Sequence, residues 1–130
     1  MARILVVDDE TAIRLAIRMI LENAGHTVVV AEGGHAAVSA IEAFSFDVLL
    51  VDIFMPDMDG LETIKIFRES APDVPVIAMS GYAVRGETTP DFFRRALDLG
   101  AAMCLCKPFK ARELIQAIAT VCAGDAARVA

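Results

Sequence analysis

No apolar stretch in this 130-residue chain approaches the roughly 20 residues that a bilayer-spanning helix needs. Nor is a secretory leader expected from the N-terminal layout, because Asp8, Asp9 and Glu10 interrupt its apolar run too early. The chain is therefore expected in the cytoplasm, with no membrane partner. Clustered basic charge is missing as well. A net charge of −6 argues against direct contact with nucleic acid, whose phosphates are held mainly by grouped Lys and Arg. The three cysteines, Cys104, Cys106 and Cys122, lack metal-finger spacing. Cys104 and Cys106 would share one face of a strand, but with no second Cys or His cluster they are expected as small buried hydrophobes. His26 and His35 stand alone, as structural or solvent-facing residues. There is no repeat, linker or low-complexity tract.

What the chain has is alternation. At 130 residues and 56% hydrophobic it can bury the core of one domain. Short apolar runs alternate five times with amphipathic stretches. RILVV (3–7) precedes a helix over 10–24 with Ile13, Ala16, Ile17, Ile20 and Leu21 at helical spacing, stopped by Gly25. TVVVA (27–31) leads to a helix over 35–44 with Ala37, Val38, Ile41 and Phe44 inward. DVLLV (47–51) is followed by a helix over 61–70 that ends before Pro72. PVIAMS (75–80) is the fourth strand, and Thr89-Pro90 reads as a cap and first residue of a helix over 90–99. AAMCLC (101–106) is the fifth strand, and a helix over 110–122 buries Leu114, Ile115, Ile118 and Val121. Residues 1–124 form the expected domain, and 125–130 a frayed tail.

Strands that are apolar on both faces and separated by helices imply a parallel sheet covered on both sides. The expected fold is α/β, doubly wound and flavodoxin-like: five strands in the order 2-1-3-4-5 with five helices. In such a sheet, ligands bind beyond the carboxyl ends of the strands, at the switch point between strands 1 and 3. The residues at those ends are Asp8 and Asp9, Asp52, Ser80 and Lys107, with Glu32 just past strand 2.

Each motif has a plainer explanation on its own. Asp8-Asp9-Glu10 could cap a helix and complement its dipole. Asp57-Met58-Asp59-Gly60 could be an ordinary turn, and Lys107-Pro108 a strand-end turn. Their joint occurrence at the right strand ends argues for a shared site. Three neighbouring carboxylates repel, and a hard divalent cation such as Mg2+ relieves that conflict. Lys107 adds a positive charge and Ser80 a hydroxyl donor, so the pocket suits one phosphoryl group beside a metal. An ionised Asp52 could attack phosphorus to give an acyl phosphate, with no general base required.

The motifs ILVVDDE, DVLLVDIFMPDMDGLE, PVIAMSG and CKPF resemble the receiver domain of two-component response regulators, over nearly the whole chain. That resemblance implies a phosphorylation-controlled signalling switch, not a conventional enzyme, catalysing only its own phosphotransfer and dephosphorylation. Asp52 would accept a phosphoryl group from a sensor histidine kinase or a histidine phosphotransfer protein. Asp9 would bind Mg2+ directly and Asp8 through water, with Asp52 and the backbone carbonyl of Phe54 completing the protein ligands. Lys107 and Ser80 would contact the phosphoryl oxygens, and the Lys107–Pro108 peptide would be cis. Met55-Pro56 and Gly60 fit the family's loop before the third helix. A downstream protein would bind the face of helix 4, strand 5 and helix 5.

Two departures stand out. The position three before the lysine, usually Tyr or Phe in the family, is Cys104. The coupling role of that aromatic is therefore expected to pass to Tyr82 or to one of Phe92 and Phe93. The segment from Ser80 to Gly100 is also longer than usual, and GYAVRGETT is expected to be mobile without phosphate. By the same resemblance Phe54 and Tyr82 would flank the acyl phosphate and slow its attack by water.

Few residues follow the last helix, so the expectation is a single-domain switch that binds a protein or relays the phosphoryl group. The alternatives are a receiver excised from a longer transcription factor or hybrid kinase, a phosphatase of the haloacid dehalogenase type, and a flavin-binding domain. The phosphatase class wants a second Asp two positions after the first, where this chain has Phe54. A flavin phosphate loop should be rich in Ser, Thr and Gly, whereas Asp8-Asp9-Glu10 would repel the phosphate.

Overall fold

The computed structural model describes residues 1–55, 59–81 and 89–129. Its elements in chain order are β1 (Arg3–Val7), α1 (Thr11–Asn23), β2 (Thr27–Ala31), α2 (Gly34–Ala43), β3 (Val48–Asp52), α3 (Gly60–Ser70), β4 (Val76–Ser80), α4 (Thr89–Asp98), β5 (Met103–Cys106) and α5 (Ala111–Val129). The five strands form one parallel sheet in the order β2-β1-β3-β4-β5. That is the doubly wound, flavodoxin-like arrangement expected from the alternation.

Period-two geometry explains why the central strands carry no polar alternation. Ile4 and Val6 of β1, Val48 and Leu50 of β3, and Ile77 and Met79 of β4 point to one face, where Ile17 and Leu21 of α1 meet Leu114, Ile118 and Val121 of α5. Leu5 and Val7, Leu49 and Val51, and Val76 and Ala78 point to the other, against Ala37 of α2, Ile64 and Phe67 of α3, and Ala96 of α4. Both faces are dry, so the interior positions of these three strands are apolar, and polar residues stand only at their ends, Arg3, Asp52 and Ser80. Each fully buried side chain of this size contributes about 1.5–3 kcal/mol.

Three residues expected inward are exposed: Ala16, Phe44 and Ile115. Ala16 and Ile115 are one residue, about 100° of helix, off the stripes centred on Ile17 and Leu114. Phe44 is 54% exposed because it caps α2 in an extended backbone conformation and has left the helical face. The cysteines also depart from expectation: Cys104 is half-buried, its thiol directed at the carbonyl of Phe93, but Cys106 and Cys122 are exposed. Cys106 is the last residue of an edge strand, past the cover that α4 gives Cys104. The last helix continues to Val129 rather than stopping at residue 122, in keeping with its alanine-rich end and the absence of proline there. His26 accepts a hydrogen bond from the Ala2 amide at 3.0 Å, and His35 is exposed, as expected.

Two glycines end elements with positive φ, Gly25 after α1 at 96° and Gly100 after α4 at 107°. Among the described residues no helix is long and apolar enough to cross a membrane.

Candidate functional site

The sheet brings three strand ends to one rim. Asp52 is the last residue of β3, buried to 4% exposure. Asp8 follows β1 directly and is fully buried, with every polar group engaged. Its amide donates to the Ala31 carbonyl at 3.1 Å, and its carbonyl accepts from Arg14 Nη1 at 2.7 Å. One carboxylate oxygen accepts the Glu10 amide at 2.9 Å. The other takes the ammonium of Lys107 at 2.6 Å.

Lys107 also reaches Asp52 Oδ2 at 3.3 Å, so one cation bridges the two buried carboxylates. The lysine is aimed by backbone: its amide donates to the Ser80 carbonyl at 2.7 Å, continuing the β4–β5 ladder, and its peptide to Pro108 is cis. Asp9 stands exposed at the rim. One oxygen from each of Asp8, Asp9 and Asp52 lies within 4.8 Å of the other two.

The acids do not serve as a cap. Residue Glu10 is the N-cap of α1 and makes no side-chain cap bond, so Asp8 and Asp9 are free of that duty. Asp59, by contrast, is a helix cap, a role not expected for it: it caps α3, accepting the Glu62 amide at 2.8 Å. Asp57 and Pro56 lie outside the described residues, and so does Tyr82 with the rest of 82–88.

Burial pushes the Asp52 carboxyl up from an ordinary 3.8 to about 6. Lys107 opposes that shift, Asp8 adds to it, and the Phe54 amide, donating to Oδ1 at 3.1 Å, opposes it again. Burial alone would lower Lys107, but its bonds to Asp8 and the charges of both carboxylates outweigh that and raise it. Lys107 therefore stays charged. With all groups ionised, three carboxylates minus one ammonium leave a formal charge of −2. An all-oxygen donor set with that residual charge fits a hard divalent cation such as Mg2+.

Ser80 is buried at the end of β4, and its hydroxyl donates to the Gly81 carbonyl at 3.2 Å. Phe54 is 39% exposed on the loop after β3. Its ring meets Phe92 of α4 edge-to-face, with centroids 4.5 Å apart. Neither Arg14 nor the Phe54–Phe92 pair was singled out as part of the site by strand ends alone. Arg14 follows Asp8 at a distance that only the first turn of α1 folds back.

A family model of the response regulator receiver domain matches residues 4–119. The chain belongs to that family. This receiver domain is similar to the sensor protein GacS of Pseudomonas syringae, at 35% identity over 121 residues, covering 89% of this chain and 13% of GacS. It is similar to the response regulator MprA of Mycobacterium ulcerans at 36% identity, covering 87% of this chain and 47% of MprA. The chain thus spans less than half the length of either relative. Among solved structures, the chemotaxis protein CheY4 of Vibrio cholerae superposes with a TM-score of 0.84 at 31% identity, covering 93% of this chain and 98% of that one. A CheY-like receiver domain protein from Methanospirillum hungatei gives a TM-score of 0.88 at 30% identity, with 98% of each chain covered.

Proposed function

We propose that this receiver domain, residues 1–124, is a phosphorylation-controlled switch whose acceptor is Asp52. The observation that carries the reading is Lys107 bridging Asp8 and Asp52 at 2.6 and 3.3 Å, with Asp9 beside them. The phosphoryl donor is a phosphohistidine on a sensor kinase or phosphotransfer protein. An Asp52 oxygen forms the new bond to phosphorus as the N–P bond breaks, and the electron pair returns to the imidazole, which takes a proton from solvent. Loss of the group is attack by water on phosphorus, which breaks the O–P bond, releases inorganic phosphate and restores the carboxylate.

Asp8, Asp9, Asp52 and the Phe54 carbonyl would hold Mg2+, which when bound supplies charge neutralisation at the phosphoryl oxygens. The chain's own residues do the remainder. Lys107 offers its ammonium to a phosphoryl oxygen, which requires it to give up the Asp52 contact. Ser80 needs only to rotate its hydroxyl away from Gly81 to donate to another. Phe54, on the loop after β3, shields the acyl phosphate from water. The protein thus catalyses only its own phosphorylation and dephosphorylation, in the cytoplasm, where it meets its donor. Its output is a changed affinity for a protein partner at the face of α4, β5 and α5, or relay of the phosphoryl group onward.

The deciding experiment is incubation with a small acyl phosphate and Mg2+, followed by intact mass. Wild type should gain one phosphoryl group and Asp52→Asn none. An adduct of equal yield in both proteins would remove Asp52 as acceptor. The small share of GacS and MprA that the chain spans supports a second reading, in which it is the receiver unit of a longer regulator or hybrid kinase. An immunoblot of the native protein, read for its mass, separates the two.

A further inference from the structure

We infer that Phe92, on α4, is a positioning residue for the acceptor site, acting through Phe54. The inference rests on the receiver reading for its consequence, but its geometry stands alone. Asp52 is followed by Ile53, whose backbone is clamped on both sides: its amide donates to the Met79 carbonyl at 2.9 Å and its carbonyl accepts from Gly60 at 2.8 Å. Phe54 is the first residue past that clamp. It is exposed to 39%, yet its amide must keep its place to donate to Asp52 Oδ1 at 3.1 Å.

The ring of Phe54 meets one foreign ring among the described residues, Phe92, at 4.5 Å between centroids and an interplanar angle of 73°. An edge-to-face pair of this kind is directional, because a ring's positive edge prefers the negative face of its partner. Phe92 is itself held, with the guanidinium of Arg95 lying 5.5 Å from its ring centroid. The route is continuous: Arg95 holds Phe92, Phe92 orients Phe54, and the Phe54 amide sets Asp52 Oδ1. It joins an output helix to the acceptor carboxylate through two side chains.

The neighbouring aromatic does something else. Phe93 meets β5 through its backbone, whose carbonyl accepts the Cys104 thiol at 3.8 Å. Cys104 occupies the position where an aromatic would ordinarily connect this region to the site, and its small side chain ends against α4. Of the two phenylalanines, Phe92 is the one whose ring pairs with Phe54 of the acceptor loop. Coupling is reciprocal. If α4 sets the Phe54 amide, then a change at Asp52 that displaces that amide is felt at α4 through the same ring contact.

Amide hydrogen exchange of the metal-free protein tests this without any phosphodonor. Phe92→Ala should speed exchange at the Phe54 amide about 3- to 10-fold, the range an aromatic pair of this kind supports. Core amides of β1 and β3 should be unchanged, and Phe92→Tyr, which keeps the ring, should restore protection. Mg2+ affinity measured by calorimetry should weaken by a similar factor in Phe92→Ala and recover in Phe92→Tyr. Phe93→Leu should leave the Phe54 amide alone. Wild-type protection of the Phe54 amide in Phe92→Ala, or equal loss in Phe92→Tyr, overturns the inference. Failure of wild type to accept a phosphoryl group counts against the receiver reading instead, since the exchange measurement decides the role of Phe92 by itself.

Discussion

Lys107 and Asp8 are 99 residues apart in the chain and 2.6 Å apart in space. Their pairing closes the far end of the sheet's rim onto its middle, and the lysine then reaches Asp52 as well. Removing one partner of a buried ion pair leaves uncompensated charge, at a cost of about 3–5 kcal/mol. Lys107→Met should therefore lower metal-free stability at pH 7.5 by about 3 kcal/mol. Urea unfolding gives the number, and the loss should shrink toward pH 4 as Asp52 takes up a proton. A loss of under 0.5 kcal/mol would mean that the two carboxylates tolerate each other without the lysine.

Asp52 has the opposite effect on stability. Its carboxyl titrates at about 6 when folded, against 3.8 ordinarily. Between those values the native protein holds a proton that the unfolded chain has released, so stability falls as pH rises through the window. The full cost, about 3 kcal/mol for two pH units, is present above pH 6. Asp52→Asn removes it. In metal-free buffer the variant should be the more stable protein at pH 7.5, by about 1–3 kcal/mol, and should lose that advantage near pH 4. Equal stability at both pH values would place Asp52 in a more solvated setting than its burial implies.

Much of this site was legible before any coordinates, and the reason is the sheet. Parallel strands bring all carboxyl ends to one edge, so Asp8, Asp52, Ser80 and Lys107 could be gathered from strand ends alone. Two-sided burial made those strands unbroken in Val, Leu and Ile, which made them easy to find. Helix faces were harder. Ala16 and Ile115 are apolar neighbours of the true stripe, and composition alone does not say which of two adjacent apolar residues faces in. The Phe54–Phe92 contact had no local signature at all, because it depends on where α4 lies over the loop after β3. Asp59 reads with Asp57 as a turn, yet it caps α3, because its place one residue before the helix matters more than the turn-rich composition around it.

Gly60 offers a test of how tightly the acceptor loop is closed. It opens α3, and its amide donates to the Ile53 carbonyl at 2.8 Å. A Cβ there would overlap the Asp52 carbonyl oxygen and Ile53 Cα, and would lie 2.8 Å from the Asp52 carbonyl carbon. These are backbone atoms and cannot swing aside. Gly60→Ala should therefore cost about 2–4 kcal/mol, well above a surface substitution. It should also slow phosphorylation, since the overlapped atoms belong to the backbone of Asp52 and Ile53 and any relief displaces the acceptor. A thermal midpoint within a degree of wild type would show that α3 can shift instead.

Asp9 separates metal binding from folding. Its side chain is exposed and makes no hydrogen bond or ion pair among the described residues, so Asp9→Asn without metal should change stability by less than about 0.5 kcal/mol. The same residue supplies one of the three clustered carboxylate oxygens. A ligand that binds only the native state stabilises it in proportion to the logarithm of its occupancy, reaching about 2.7 kcal/mol at a hundredfold excess over Kd. Wild type should accordingly gain stability as Mg2+ is raised at pH 7.5, and Asp9→Asn should gain much less over the same range. Two unfolding series with and without Mg2+ measure both quantities. If the variant responds to Mg2+ as strongly as wild type, Asp9 is not a ligand, and the cation must be held by the two buried carboxylates that Lys107 already bridges.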